Sequence, residues 1–573
     1  MSGRAGRHAG APAALAESDR QMDKQNFELR FTRGKYPSGG GYPGLRPGYR
    51  VDETLGMICE YDVPVTMRDG VKIYVNVFRP KAEGKYPVVL AWSPYGKHAG
   101  AEDYYAMLPG CGQAKSLHSE YACFEAPDPA QWCPYGYIVV HIDPRGAWGS
   151  EGDLTFMSPQ EQLDGYDVVE WAGTQPWSSG KVGMNGVSYL GWTQWKIAAM
   201  NPPHLAAINP WEGVSDFYRE LVFHGGIRSN FTAMFPGTMC RPTRRAEDLM
   251  AMAKEHPMFD DYWASKNADL AKITVPAFVV ASWCDHGLHS RGTFEGFKKI
   301  SSTQKWLRVH GRKKWVDYYA NVEMQRQLFD RFLKGIDNEV KYWPRVNVEI
   351  RERSQVGNYR AEGEWPLART KYTPLFLDAS NNRLNKSAVK QAAQSRYDVD
   401  NLKDQSQKAV FELAFREKTE LTGYTKLKLW VEAVGSDDMD LYVVIDKYDR
   451  TGDRVPFPSQ SGYDHGPVAF GWLRVSHREL DENRSTPHQP VLKHQREIKL
   501  AAGEVVPVEI EILPASVLFE AGETLRVTVI GSDLHAHEAW RHDGVRTVNR
   551  GTHVIHTGGT YDSHLLVPVV PAE

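Results

Sequence analysis

Short apolar runs, bounded by turn residues, recur along the chain between residues 60 and 310, and they predict a buried sheet. Each run is nearly continuous in apolar residues, which is typical of strands that are covered on both faces. Helix-compatible stretches such as 159–174 separate several of the runs, and this alternation favours a parallel sheet in an α/β domain. The runs are 88–92, 137–142, the strand before Ser188, 206–208, 277–281 and 306–309. A hairpin of 63–67 and 71–78, turning at Arg68-Asp69-Gly70, is predicted to precede them.

From about residue 370 the pattern changes to alternation of apolar and polar positions. Leu427, Leu429 and Val431 share one face of a predicted strand, and the segments around 508–512 and 525–529 repeat the pattern. Alternation of this kind is typical of half-buried antiparallel strands in a sandwich. We therefore predict an α/β domain over 51–360 and an all-β sandwich domain over 361–573.

Two segments do not follow either pattern. Residues 1–50 are polar and then rich in Gly, Pro and Tyr, a composition that buries too little surface to fold alone, so they are interpreted as a tail. The segment of about 214–270 is rich in Phe, Met, Trp and Arg but has no buried-strand pattern. We interpret it as a helical cap inserted over the carboxyl edge of the sheet.

Composition narrows the classes of partner. The chain has 68 Lys and Arg against 71 Asp and Glu, a net charge of −3, which argues against nucleic acid or an anionic membrane surface and suits a small-molecule substrate. The N-terminal residues lack the apolar core of a signal peptide, and no run of about 18 apolar residues occurs, so we expect a cytoplasmic protein with no membrane span. Six scattered cysteines predict thiols, with Cys111 and Cys123 the pair to test for a bridge or a metal. The oligomeric state stays open, a homo-oligomer included.

The segment Gly186-Val187-Ser188-Tyr189-Leu190-Gly191 lies where an apolar strand gives way to a helix. A serine on such a sharp turn is a candidate nucleophile, because small residues at its crowded corners, here Gly186 and Gly191, allow the strained geometry. Leu190 stands where the full G-x-S-x-G pattern has its last glycine. An ordinary Gly-Ser turn is the alternative interpretation.

Two further residues follow apolar strands in the order that this chemistry needs. Asp285 comes just after 277–281, and His310 comes just after 306–309. Serine, acid and histidine in this order, each at the carboxyl end of a strand, indicate a nucleophile, an acid that orients the base, and the base. Taken singly, an aspartate after a strand is more often a helix cap and a histidine is more often structural.

These segments together resemble the cocaine esterase / X-Pro dipeptidyl-peptidase family of α/β-hydrolases. The turn at Ser188 resembles the family's nucleophile turn, and Ser282-Trp283-Cys284-Asp285 resembles the G-W-x-D element that carries its acid. Other segments agree: Met67-Arg68-Asp69-Gly70-Val71 with the opening hairpin, 143–152 with the D-x-R-G-x-G-x-S-x-G segment, Trp92-Ser93-Pro94-Tyr95-Gly96-Lys97 with the S-P-Y loop, and 514–526 with the jelly-roll domain. The resemblance runs from about residue 63 to the C-terminus.

The resemblance implies an α/β-hydrolase sheet followed by a C-terminal jelly roll, and a serine hydrolase mechanism. It assigns Ser188 as nucleophile, Asp285 as the orienting acid, and an oxyanion hole made by the Tyr95 hydroxyl and the Tyr189 backbone N–H. The family's G-P-W-x-H segment is replaced here by His310-Gly311-Arg312-Lys313-Lys314-Trp315, which puts Lys314 where the histidine is expected. We therefore predict His310 as the base, with His286 and His289 as alternatives.

The resemblance leaves the substrate open among esters, amino-acid esters, β-lactam-type amides and X-Pro peptides. An esterase or acylase is favoured, with an X-Pro dipeptidyl peptidase or an α-amino-acid ester hydrolase as alternatives. Glu212 and Asp216 are candidates for contact with a substrate amine, although acidic residues at a helix start usually cap it. Trp211 and Trp283 are candidates for lining the substrate site. The chemistry requires neither a metal nor an organic cofactor.

Two other classes of function compete with a serine hydrolase. Cys284, Asp285, His286 and His289 offer ligand types that suit a metallohydrolase, although no second set of ligands has comparable spacing. A catalytically silent protein whose jelly roll binds a carbohydrate or another partner is the third class.

Overall fold

One long sheet runs through the first part of the computed structural model, which describes residues 27–34, 44–98, 101–108, 110–231, 235, 240, 244–460, 462–542 and 546–572. Most of the predicted N-terminal tail lies outside these residues. The strands of this part are β1 (Phe31–Arg33), β2 (Gly48–Asp52), β3 (Met57–Thr66), β4 (Lys72–Pro80), β5 (Tyr86–Trp92), β6 (Ile138–Asp143), β7 (Ser178–Val187), β8 (Leu205–Trp211), β9 (Phe223–His224), β10 (Ile227–Arg228), β11 (Arg245–Glu247), β12 (Ala277–Ser282), β13 (Lys305–His310), β14 (Val346–Arg353) and β15 (Val356–Glu362).

The sheet has the strand order β2-β3-β4-β6-β5-β7-β8-β12-β13-β14-β15. Pairing is parallel from β6 through β14 and antiparallel at both ends. The strands of the parallel block are almost entirely buried, as their continuous apolar sequences predict. The carboxyl ends of parallel strands meet at one edge of a sheet, which is where an open α/β sheet places its ligand site.

Helices cover this sheet. They are α1 (Ala101–Ala106), α2 (Pro129–Trp132), α3 (Pro159–Thr174), α4 (Tyr189–Ala198), α5 (Leu249–Glu255), α6 (Asp261–Ser265), α7 (Ser290–Lys299), α8 (Lys314–Ala320) and α9 (Val322–Leu333). The helix α3 begins after the N-cap Ser158, whose hydroxyl accepts from the Glu161 N–H. Short 3₁₀ turns occur at 115–117, 133–135, 270–272, 339–342, 475–477 and 538–540, and a π-helical turn at Tyr218–Val222.

In the second part of the chain, the regular elements of the described residues are strands and two of these turns. The strands are β16 (Lys371–Asp378), β17 (Arg383–Asn385), β18 (Ala393–Asp398), β19 (Lys408–Ala414), β20 (Thr419–Val434), β21 (Asp440–Tyr448), β22 (Arg454–Val455), β23 (Phe457–Ser459), β24 (Tyr463–Gly466), β25 (Ala469–Arg474), β26 (Val506–Phe519), β27 (Thr524–Ile530), β28 (Thr552–Thr557) and β29 (His564–Val570). Nearly all pair antiparallel, many with strands far away in sequence, such as β16 with β29 and β19 with β27.

Each part has its own apolar core. The first core holds the buried strands of the long sheet together with the aromatic side chains around Ser188, and the second holds the inward-facing residues of the later strands, Leu427, Leu429 and Val431 among them. The predicted β-rich second part is therefore confirmed. All six cysteines are thiols, as predicted, and all are buried. None of the described helices combines the length and apolar composition that crossing a membrane needs, and the cytoplasmic location stays a prediction.

The structure confirms the predicted hairpin and the buried strands. β3 and β4 pair antiparallel across the turn at 67–71, and the predicted helix 159–174 is α3. The described residues of the predicted cap at 214–270 contain helices α5 and α6 but also three short strands, and β11 pairs with β1. The rest of that segment lies outside the described residues, and the domain boundaries stay predictions.

Candidate active site

The Ser188 turn has the strained backbone that its sequence predicts. Ser188 follows β7 directly and has φ +60° and ψ −116°, an uncommon conformation for a residue with a side chain, before α4 begins at Tyr189. A Cβ at Gly186, which has φ +143°, would lie 2.5 Å from the Leu190 Cβ, and a Cβ at Gly191 would lie 3.0 Å from the Trp211 carbonyl oxygen. Gly186 therefore has no room for a side chain, and a side chain at Gly191 would be tightly packed. Ser188 itself is partly exposed between buried neighbours.

His289 is the histidine that contacts the Ser188 side chain. The Ser188 Oγ lies 2.9 Å from His289 Nε2, and His289 Nδ1 is hydrogen-bonded to Asp285 Oδ2. Asp285 follows β12, and the chain then turns so that the main-chain N–H of His289 donates to the Asp285 carbonyl at 3.1 Å, immediately before α7. Both side chains are buried. The structure thus brings serine, histidine and aspartate into the linear arrangement that activates a nucleophile.

The prediction of His310 at Ser188 is wrong in this geometry. His310 is the last residue of β13 and pairs in register with Ser282, three residues before Asp285, so it stays at the level of the strands. Its Nε2 lies 3.0 Å from Glu212 Oε1 and 3.6 Å from Asp317 Oδ2. His286 also faces elsewhere, toward the Pro514 carbonyl. The signal that identifies His289 is its position four residues after Asp285, at the start of a helix.

Lys314 lies against the acid of this arrangement. It is the first residue of α8 and buried, with Nζ 3.4 Å from Asp285 Oδ2 and 3.8 Å from Glu125 Oε1. Glu125 has φ +64°, accepts from Trp315 Nε1 at 2.8 Å, and its carbonyl accepts from the Val187 N–H beside the nucleophile. Burial raises the pKa of Glu125 to about 8. The sequence contained no signal for Glu125.

The pKa of His289 is lowered to about 4, first by burial and then by the positive charge of Lys314, against the opposing effect of Asp285. A base must be neutral to accept the Ser188 proton, so the His289-governed loss of kcat/KM on acidification is expected near pH 4. Replacing Lys314 by methionine removes the cation and therefore raises the pKa of His289. We expect the pH profile of kcat/KM for Lys314→Met to show this acid limb at a higher pH than wild type.

Lys298→Met is the matched control, because Lys298 lies near the other end of α7 and pairs with Glu295. It removes the same charge without a contact to Asp285, so its acid limb should coincide with that of wild type. If the Lys314→Met protein melts cooperatively and its acid limb stays at the wild-type pH, the inference that the Lys314 charge lowers the pKa of His289 is contradicted.

Two hydrogen-bond donors flank Ser188. Tyr95 is buried and its hydroxyl interacts with the Ser188 side chain. Its ring packs edge-on against Phe124 and Tyr189. Tyr189 is the first residue of α4, so its backbone N–H has no acceptor within the helix. Glu161 holds the Tyr189 side chain, accepting from the phenol at 2.8 Å, another role that the sequence does not indicate.

The four predicted substrate contacts lie inside the protein. The Glu212 carboxylate is hydrogen-bonded to His310, and Asp216 pairs with Arg219 at 2.8 Å. Trp211 is fully buried, and Trp283 stacks on Phe294 and donates to the Glu349 carbonyl. These positions do not support the interpretation of the four residues as substrate contacts.

The cysteine–histidine metal cluster that the competing metallohydrolase interpretation needs does not form among the described residues. Cys284 lies beside Arg351, and His286 faces Pro514, so neither joins Asp285 and His289. A different group of ligand atoms, from Glu212, Asp285 and His289, lies within 4.8 Å of one another. The Lys314 ammonium beside Asp285 opposes a further cation there.

Comparisons with known proteins place this chain in a family. Residues 69–238 match the family model for X-Pro dipeptidyl-peptidase (S15 family), and residues 338–566 match the one for its C-terminal non-catalytic domain. Cocaine esterase from Rhodococcus sp. (strain MB1 Bresler) is 27% identical over 382 residues, 56% of this chain and 62% of that protein. The match thus spans about three fifths of the length of that relative.

Solved structures extend the comparison to nearly the whole chain. An α-amino acid ester hydrolase superposes with a TM-score of 0.68 over 93% of this chain and 100% of its own at 17% identity, which shows a shared fold. A CocE/NonD family hydrolase from Staphylococcus aureus is 43% identical, with a TM-score of 0.87 over 94% of this chain and 98% of its own. Since this likeness covers both parts of the fold and the strand that carries Ser188, the chain belongs to the CocE/NonD family of hydrolases.

Proposed function

We propose that this chain is a serine hydrolase that cleaves a carboxylic ester or amide through an acyl-enzyme on Ser188. The observation that carries the proposal is the 2.9 Å contact between Ser188 Oγ and His289 Nε2, with Asp285 on the other ring nitrogen. A strained turn, a base within hydrogen-bond reach and an acid that orients the base are the parts that acyl transfer needs.

Acylation follows from the positions of these groups. His289 Nε2 takes the Ser188 proton as Oγ attacks the substrate carbonyl carbon, and Asp285 holds Nδ1–H and stabilises the imidazolium. The Tyr95 hydroxyl and the Tyr189 N–H donate to the oxyanion, which also lies at the positive end of α4. The tetrahedral intermediate then expels the alcohol or amine, which leaves with the proton from His289.

Deacylation repeats these steps with water as the nucleophile. His289 accepts a proton from water as the water oxygen attacks the acyl carbon. Collapse of the second intermediate releases the carboxylic acid and returns the proton to Ser188. Every proton in the cycle passes through His289, so the reaction is complete without a metal or an organic cofactor.

An esterase or acylase is the favoured activity within this class. An X-Pro dipeptidyl peptidase or an α-amino-acid ester hydrolase binds a substrate amine, for which an available carboxylate is the natural partner. The two carboxylates predicted for that task, Glu212 and Asp216, are engaged by His310 and Arg219 instead. The family-model match to X-Pro dipeptidyl-peptidases keeps the peptidase as the second candidate.

We also propose that the second part of the chain is a jelly roll that helps to close the site. Antiparallel pairing of strands distant in sequence, β16 with β29 and β20 with β26, suits that architecture. Its loop after β23 contacts the loop that contains Asp285, where the Gln460 N–H donates to the Cys284 carbonyl at 2.6 Å. This contact fixes the residue next to Asp285.

Covalent labelling with a fluorophosphonate tests the proposed function. We expect one phosphonyl group per wild-type chain, located on the peptide that contains Ser188, and none on Ser188→Ala with an unchanged circular dichroism spectrum. Labelling of Ser188→Ala, or a folded wild-type protein that takes up no label, would overturn the assignment and favour a binding protein.

Substrate class is measured on the same preparation with p-nitrophenyl esters, amino-acid esters and Xaa-Pro nitroanilides. Esterase activity predicts the highest kcat/KM for the simple esters. Faster cleavage of the Xaa-Pro nitroanilides would replace the favoured activity by the peptidase.

A further inference from the structure

Glu212 occupies a position that matches Ser188 on the neighbouring strand. Val187, the last residue of β7, pairs in register with Trp211, the last residue of β8, so Ser188 and Glu212 each come one residue beyond paired strand ends. Both have a positive φ, +60° and +53°, in residues that rarely adopt it. Such strain in a non-glycine residue persists where the surrounding structure holds the backbone in place.

The close packing of Gly213 explains how this turn is held. A Cβ at Gly213 would lie 2.8 Å from the Gly191 carbonyl carbon, in the first turn of α4. The Glu212 N–H donates to the Val280 carbonyl of β12 at 2.8 Å. The turn that carries Glu212 is therefore held against α4, the helix after Ser188, on one side and against β12, the strand before Asp285, on the other.

The Glu212 carboxyl group lies beside the acid and the base of the site. One of its oxygens, a ring nitrogen of His289 and a carboxylate oxygen of Asp285 all lie within 4.8 Å of one another. Oε1 is hydrogen-bonded to His310, and Oε2 has no hydrogen-bond partner among the described residues although the side chain is fully buried. A buried oxygen left unpaired is costly, so its retention next to His289 requires an explanation.

We propose that Glu212 is a second acid of the active site, a positioning residue that stabilises the imidazolium of His289 alongside Asp285. A carboxylate this close to a histidine favours its charged form, which exists only while His289 holds the Ser188 proton. The proposal rests on the proposed serine hydrolase mechanism. It also accounts for His310, which keeps the Glu212 carboxyl in place from the end of β13.

The charge on Glu212 depends on pH. Burial raises its pKa to about 7, while the hydrogen bond and the charge of His310 act in the opposite direction. Above this pH the carboxylate is ionised and supports His289, and below it the support is lost. The charged and titratable groups that face the pair are Asp285, Cys284, His289, Lys314, Glu125, Asp317 and Arg308.

The test is the pH profile of kcat/KM for Glu212→Gln, since glutamine can still accept a hydrogen bond from His310. Wild type is expected to lose part of its kcat/KM as the pH falls through about 7, before the final loss near pH 4. Glu212→Gln is expected to lose about 10-fold in kcat/KM at pH 8 and to show no step near pH 7. Glu212→Asp keeps the charge and should keep the step.

A purely structural Glu212 gives a different result. In that case Glu212→Gln lowers the melting temperature and leaves the step near pH 7 in place, and either that retained step or an unchanged kcat/KM at pH 8 overturns the proposal. Glu247→Gln is the matched control, a buried glutamate that pairs with Lys266 away from Ser188. It should keep the wild-type pH profile.

A double-mutant cycle with Asp285→Asn gives an independent measurement. If Glu212 and Asp285 support the same imidazolium, Glu212→Gln should cost more in the Asp285→Asn background than in wild type. Equal fold-losses in both backgrounds would overturn the proposal. Fluorophosphonate labelling of Ser188 in wild type, which tests the proposed function, is unaffected by either outcome, so the two proposals fail separately.

Discussion

Replacement of His289 by alanine is expected to lower kcat by about 10⁴-fold or more, because among the described residues His289 is the base within hydrogen-bond reach of Ser188 Oγ. Without the imidazole, Ser188 keeps its proton at neutral pH and attacks slowly. Residual turnover would come from the oxyanion donors and substrate binding alone. Steady-state kcat with a p-nitrophenyl ester measures the loss, and the rate of fluorophosphonate labelling should fall in parallel.

His310→Gln is the comparison that separates the two histidines. His310 contacts Glu212 and Asp317 but not Ser188, so its loss should act on stability and on the position of Glu212. We expect a lower melting temperature and a much smaller fall in kcat than for His289→Ala. Equal losses in the two variants, at equal stability, would return His310 to the role of base.

Removal of the Tyr95 hydroxyl is expected to lower kcat by about 10²–10³-fold, with little change in KM. The hydroxyl interacts with Ser188 now and is placed to donate to the oxyanion, a bond that gains strength mainly in the transition state. The Tyr95→Phe variant keeps the ring and its edge-on contacts with Phe124 and Tyr189. Kinetics at saturating substrate, together with the melting temperature, measure the effect.

The loop that carries Tyr95 is held by main-chain contacts that this substitution preserves. The Tyr95 N–H donates to Ser93 Oγ at 3.1 Å, and the Tyr104 hydroxyl donates to the Tyr95 carbonyl at 2.6 Å. Tyr262→Phe is the control, a buried tyrosine whose hydroxyl donates to Glu247 and not to Ser188. Its kcat should stay at the wild-type value. A Tyr95→Phe enzyme with unaltered kcat would leave the Tyr189 N–H as the sole assigned donor.

Local sequence determined much of the architecture. Continuous apolar runs predicted the buried strands β5, β6, β8, β12 and β13, since a strand covered on both faces needs apolar residues at every position. Gly186 and Gly191 indicated the turn at Ser188 because small residues suit its crowded corners, where a Cβ would lie 2.5 Å and 3.0 Å from a neighbouring atom. Asp285 was found by its place after a strand, where residues of a parallel sheet converge.

The sequence did not identify His289 as the histidine beside Ser188, because that contact depends on how far each residue lies beyond the end of its strand. His310 is the last residue of a strand that follows Asp285, as the usual order of serine, acid and histidine requires. It pairs with Ser282, however, and so it lies level with a residue that comes three positions before Asp285. His289 reaches Ser188 only because the chain turns back after Asp285 and starts α7 there. A loop that turned a few residues earlier or later would place a different histidine beside Ser188, and the order of residue types alone does not predict where the loop turns.

The charged surroundings of the site were likewise decided by tertiary structure. Glu125, Lys314 and Glu212 come from three separate segments and meet at Asp285 and His289 in the folded chain. The sequence determined which strands form and where the chain turns at Ser188, because both depend on residues that are neighbours along the chain. Which buried charges face one another, and hence which acid supports which base, depends on how separate strand ends align across the sheet.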